Sequence, residues 1–167
     1  ADTVVPAVTT GGYSPAQDAT DQASTVNIVL TFDEHVAAGT GNVVLTPTTV
    51  THSAQTAPTT VTIDVTDATQ VTFSQSNTNG VMTINPTNPL STIGVQYTVT
   101  IANTCVRDTA TTPNVYAGLA GTTYQFVIAD TVVPAVTTGG YSPAQDATDQ
   151  ASTVNIVLTF DEHVAAG

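Results

Sequence analysis

This sequence predicts an all-β fold, a two-sheet β-sandwich with Greek-key connections, and three observations carry that expectation. Apolar residues recur with a period of two in short bursts bounded by Gly, Pro, Asn or Asp, and no stretch shows the 3.6-residue period of a helix. About a fifth of the residues are threonine, whose β-branched side chain suits the half-buried surface of a strand. Roughly seven to nine such bursts fall within 128 residues, a spacing that fits a sandwich better than a barrel.

The first burst, Ala7 to Tyr13, reads as an edge strand, because Pro6 at its start has no N–H to give to a ladder. Ser14 to Ala23 reads as a polar turn. Val26, Ile28, Leu30 and Phe32 then fall on one face and Asn27, Val29, Thr31 and Asp33 on the other, the pattern of a central sandwich strand. After a loop bounded by Gly39 and Gly41, Asn42 to Thr46 makes a short strand. Val61 to Val65 makes another, with Thr60, Thr62 and Asp64 toward water. Val71 to Phe73 and Val81 to Ile84 are expected to pair across SQSNTNG, in which Asn79-Gly80 is a tight-turn signal. Val95, Tyr97, Val99 and Ile101 alternate with Gln96, Thr98 and Thr100, and Tyr124, Phe126 and Ile128 close the unit. One core is expected from Val26, Ile28, Leu30, Phe32, Val95, Tyr97, Val99, Ile101 and Phe126.

The unit then begins again. The 39 residues from Ala1 to Gly39 recur without change from Ala129 to Gly167, even at solvent-type positions such as Gln17, Thr20 and Gln22. A fixed period defines the structural unit, so residues 1–128 are expected to be one complete repeat and 129–167 the incomplete start of the next. The linker, about 129–134, is short and stiffened by Pro134, so consecutive units should sit end to end with limited freedom. The second copy of the central strand, Val154 to Phe160, cannot bury its face unaided. Later residues of the same polypeptide are the expected source of its missing strands, with strand exchange between chains as the competing arrangement.

Charge removes several function classes. Thirteen acidic residues face one basic one, for a net charge of −12. Nucleic-acid binding needs a cationic footprint, and docking on anionic lipid needs a polybasic segment. No apolar run reaches the length of a membrane span, so membrane insertion is not expected. A single cysteine, Cys105, allows no disulfide within the unit and is expected to be buried rather than to cross-link chains.

The stretch DTVVPAVTTGGYSPAQDATDQASTVNIVLTFDEHV resembles the opening of the bacterial Ig-like domains found in tandem in S-layer proteins, adhesin stalks and other secreted surface proteins. The matching residues are Asp2, Pro6, Ser14, Pro15, Asp18, Thr31, Phe32, Glu34 and Val36. Further on, VMTINPTNPLSTIGVQYTVTIANTCVRDTA resembles that family's Thr-Ile-x-Pro strand, its Tyr-Thr-Val-Thr-Ile strand and the Val-x-Asp that follows. The resemblance implies an immunoglobulin-like sandwich. Its motifs mark a fold rather than an activity, and the chain departs from them at Cys105 and in the stretch from Thr46 to Thr60.

No catalytic constellation is expected. His35 adjoins Asp33 and Glu34, and His52 sits in a loop, but neither is flanked by a nucleophile motif. Calcium is the one ion the carboxylates would suit. Its candidate ligands are Asp18 and Asp21 in one loop, Asp33 and Glu34 at a strand end, and Asp2 and Asp130 at the repeat junction. The competing reading is that these are turn-forming, solubilising carboxylates. Arg107 and Asp108 read as a local ion pair. The Ser/Thr/Pro-rich stretch from Thr46 to Thr60 has a composition associated with covalent O-linked glycans, with Thr48, Thr49, Thr51, Thr56 and Thr59 as acceptors. The function expected is that of a non-catalytic structural repeat in an extracellular fibre, stalk or surface layer. Its partners would be neighbouring repeats of the same chain and identical chains in a filament. An adhesin or glycan-binding module is the alternative, weakened by an aromatic content of 5% with no tryptophan.

Overall fold

Along Ile28–Phe32 every second side chain is large and apolar, and an extended chain sends those side chains to one side. The computed structural model, which describes residues 2–48 and 58–164, buries Ile28, Leu30 and Phe32 completely. In chain order the strands are β1 (Val8–Ser14), β2 (Ala19–Gln22), β3 (Ile28–Phe32), β4 (Val36–Ala38), β5 (Asn42–Pro47) and β6 (Val61–Asp64). They continue with β7 (Val71–Ser76), β8 (Asn79–Ile84), β9 (Gln96–Ile101), β10 (Val106–Asp108) and β11 (Gln125–Ile128). A four-stranded sheet runs β1-β3-β8-β7 and a five-stranded sheet runs β2-β11-β9-β5-β6, while β4 pairs with β10. The chain crosses between the two sheets from β1 to β2, β2 to β3, β6 to β7 and β8 to β9, which is a Greek-key sandwich.

The core lies where the inner faces meet. Ile28, Leu30, Phe32, Met82 and Ile84 from one sheet pack with Val43, Leu45, Tyr97, Val99, Phe126 and Ile128 from the other. Burying each such side chain contributes about 1.5–3 kcal/mol before entropy is counted. Polar ends of the aromatic residues are satisfied: Tyr124 donates from its hydroxyl to Pro15 O at 2.8 Å, and the Tyr97 hydroxyl accepts from Ser91 N–H at 3.1 Å. Tyr13 stacks on Tyr124 with centroids 4.5 Å apart, and Tyr116 meets Phe32 edge-on at 5.2 Å.

The expected register holds. Val95, Tyr97, Val99 and Ile101 are all buried, and Val26 is half-buried against the same core. Two expectations are corrected. Among the described residues of 8–128 there are eleven strands rather than seven to nine, because β2, β4 and β10 are additional. β2 lies inside the segment expected to be a turn. The turn between β7 and β8 also falls two residues early: Ser76 pairs with Asn79, and Asn77, not Asn79, takes the left-handed conformation. Gly80 sits within β8 for a different reason. A Cβ there would meet Glu34 O at 2.6 Å and Val36 N at 2.7 Å, so glycine permits the close crossing of the chain after β3.

The strand ends fix where the chain enters and leaves. Asp33 at the end of β3 clamps the entering chain from both sides, its N–H donating to Ala7 O at 3.0 Å and its carboxylate accepting from Ala7 N–H at 2.9 Å. At the start of β3 lie Ser24, Leu90 and, through Gln22, the departing Ala129. Entrance and exit therefore occupy opposite ends of β3.

Beyond the linker, β12 (Val136–Ser142) and β13 (Val157–Phe160) repeat β1 and β3. Their register, Val136 with Phe160, Tyr141 with Leu158 and Ser142 with Val157, is that of β1 and β3 moved by one period, bulge included. Their apolar face is uncovered: Ile156 is 81% and Leu158 46% exposed, where Ile28 and Leu30 are at 0%. The segment identical to β2 forms no strand here, since its partner in the first unit is β11.

Candidate functional site at the acidic corner

The end of the sandwich where β3 finishes gathers four acidic residues, Asp2, Asp33, Glu34 and Asp108. Phe32 is the last buried residue of β3, and the bend at Asp33 and Glu34 turns the chain into β4. β4 pairs with β10 so that Asp108 lies opposite Val36. Asp2, on the entering chain, is held nearby through its carbonyl, which accepts from Asn114 Nδ2 at 3.5 Å. Oxygens of Asp2, Glu34 and Asp108 lie within 4.8 Å of one another, the one group of three metal-type ligands among the described residues.

The three carboxylates are held differently. Asp108 is 2% exposed, and its oxygens accept from Ala110 N–H at 3.0 Å, Asn114 N–H at 3.1 Å and Asn114 Nδ2 at 2.9 Å. Burial pushes its carboxyl up, but these hydrogen bonds outweigh it and leave it below the usual aspartate value. Glu34 moves the other way. Burial and then the charges of Asp108, Asp2 and Asp33 raise it, and its Oε1 is buried without a hydrogen-bond partner. Glu162 Oε1 is orphaned in the same way. No counterpart of Asp108 lies beside Glu162 among the described residues, so the local bend itself buries this atom.

Of the six residues expected to favour calcium, the structure brings together Asp2 and Glu34 and adds Asp108. Asp33 is engaged in the Ala7 clamp. Asp18 accepts from Gln125 Nε2 at 2.9 Å and Gln17 Nε2 at 3.2 Å, Asp21 is exposed with a left-handed backbone, and Asp130 lies at the opposite exit. The corner offers three carboxylates, whereas calcium takes six to eight oxygens. The ion pair that the sequence suggests between Arg107 and Asp108 does not form. In a strand neighbours point to opposite faces, so Asp108 turns inward while Arg107 is exposed and donates from Nε to Ala38 O at 3.1 Å.

The remaining candidates are structural. His35 Nε2 donates to Asn77 O at 2.8 Å and ties the bend to the β7–β8 turn. Cys105 is buried with its thiol 3.3 Å from Asn42 O, and burial raises its pKa. Thr48 and Thr59 are exposed, with the Thr48 hydroxyl donating to Gln96 O at 3.1 Å. Thr49, Thr51, Thr56 and His52 lie outside the described residues.

The corner thus belongs to a sandwich in which Asp2 and Pro6 lie on the entering chain, and Phe32, Glu34 and Val36 frame the bend that follows β3. No curated protein and no solved structure matches the chain. Residues 2–128, the whole first unit, match the family described as bacterial Ig-like domain. The chain belongs to the bacterial Ig-like domain family.

Proposed function

We propose that this chain is a structural module, a repeating unit of an extracellular fibre, stalk or surface layer, with no chemistry of its own. Domains of this family typically occur in surface or secreted bacterial proteins and are in general non-catalytic. The observation that carries the reading is the second copy: the same 39 residues recur after the unit and pair two strands in the register of β1 and β3, at the end of the unit opposite its own entrance. Such units add in a line. Neighbouring repeats, and identical chains side by side in a filament, are the partners this geometry suits. Among the described residues no helix is long and apolar enough to cross a membrane.

A glycan-binding module would present aromatic rings to solvent. Here Tyr97, Tyr116, Tyr124, Phe32 and Phe126 are buried. Tyr141, the counterpart of Tyr13, is 46% exposed, whereas Tyr13 stacks on Tyr124. Open grooves of about 540 and 650 Å³ contain one aromatic side chain between them, Tyr97, at 1% exposure. Electron imaging of the native assembly tests the proposal. A beaded filament one sandwich wide is expected, and a compact, non-repeating particle would contradict it.

A further inference from the structure

The tetrapeptide Asp-Thr-Val-Val occurs in two settings in this molecule. At Asp2–Val5 it leads into the first sandwich, and at Asp130–Val133 it follows that sandwich. One feature is common to both: the third residue's N–H donates to the aspartate carboxylate, Val4 to Asp2 at 2.9 Å and Val132 to Asp130 at 3.0 Å. That turn is local and owes nothing to neighbours.

Other contacts exist only in the second setting. Asp130 forms an antiparallel bridge with Ile93, and Thr131 N–H donates to Thr92 O at 3.0 Å. Val132 packs half-buried against the core of the first unit, whereas Val4 is 56% exposed. Gly94 holds a left-handed φ of 68°, and a Cβ placed there would lie 3.4 Å from the Asp130 Cβ. The turn at Thr92–Gly94 is therefore shaped around the segment that follows the unit.

We propose that the Asp2–Val4 strip at the head of each unit is a docking surface whose partner is the Thr92–Gly94 turn of another copy of the same unit. The proposal rests on the repeat reading above and adds how one copy seats on the next. Consecutive units join through a shared strand end rather than a free tether. Asp130 has its backbone in one unit, while its carboxylate is the counterpart of the one that in the first unit meets Glu34 and Asp108. The orientation of one unit and the acidic corner of the next are built from the same residue.

Amide hydrogen exchange in the 167-residue chain tests this with an internal control. Thr3 and Thr131 have the same neighbours in sequence, so their intrinsic rates match. Docking makes Thr131 exchange roughly tenfold or more slowly than Thr3, while Val4 and Val132 differ little. Thr131→Pro, which removes the donor, should free the amides of β12 to move independently of the first unit in ¹⁵N relaxation. Gly94→Val should do the same if the first unit stays folded. Equal exchange at Thr3 and Thr131 overturns the proposal. A chain in which the sequence of residues 40–128 is appended after Gly167 separates the two readings. If its second unit folds like the first but Thr131 is unprotected, the repeat stands and docking falls; if the second unit does not fold, the repeat reading falls as well.

Discussion

Leu30 and Leu158 are the same residue in the same sequence context, one covered and one not, and they allow the cost of burial to be measured within one molecule. Leu30 is fully buried on β3 between Tyr13 of β1 and Met82 of β8. Leu30→Ala removes three heavy atoms from a site closed on both sides, and fully enclosed leucines lose about 3–5 kcal/mol on truncation, part of it from the cavity left behind. For a unit of this size that lowers the melting temperature by on the order of 10–20 °C. Leu158 is 46% exposed, with no opposing sheet to leave a cavity in. Leu158→Ala should cost under about 1 kcal/mol and leave the main transition of the first unit within roughly 1 °C of its original position. Calorimetry on the 167-residue chain and the two variants decides. A Leu158→Ala loss as large as that of Leu30→Ala would refute the reasoning, because it would mean that the tail's apolar face is covered in solution, as strand exchange between chains would do.

Three further outcomes are expected. Gly80→Ala should destabilise by about 2 kcal/mol or more in urea denaturation, since the new Cβ strikes backbone atoms of Glu34 and Val36 as well as the Val36 side chain, whereas Asn77→Gly should be close to neutral. Glu34 has a raised pKa in the folded chain, so the stability it contributes is complete below the ordinary glutamate value and is lost as pH rises through the folded value. Glu34→Gln should therefore raise the melting temperature near pH 7 and leave it almost unchanged near about pH 4; an equal shift at both would exclude the charge repulsion. Cys105, buried and raised, should resist thiol reagents in the folded chain and react fully in denaturant, and rapid labelling without denaturant would show that the β5–β10 region opens.

Strands buried on one face by a facing sheet were legible because the alternation is written into consecutive residues, as at Ile28, Leu30 and Phe32 or Tyr97, Val99 and Ile101. Strands defined by a distant partner were not. β2 makes the point within the molecule itself: Ala19–Gln22 is a strand beside β11, and the identical residues after β12, with no such partner, are not. β4 and β10 are three residues each, too short to display a period. Asn79-Gly80 misled because one residue type serves two ends, tolerance of a left-handed backbone and absence of a Cβ at a close crossing, and here the second decides. The acidic corner was half legible. Asp2 and Glu34 stand at the family's signature positions, but Asp108 joins them only through the pairing of β4 with β10. The alternation in Val106–Asp108, with Asn114 six residues on, was the available sign that Asp108 faces inward, away from Arg107.

The central claim is that the segment from Ala129 onward is the start of an equivalent mechanical unit. Force–extension measurements on a chain carrying the sequence of residues 40–128 after Gly167 test it most directly. Two equal unfolding events are expected, each lengthening the molecule by roughly 400 Å, the extended length of 128 residues less the span of the folded sandwich. One such event followed by featureless extension, or two of unequal length, would contradict it.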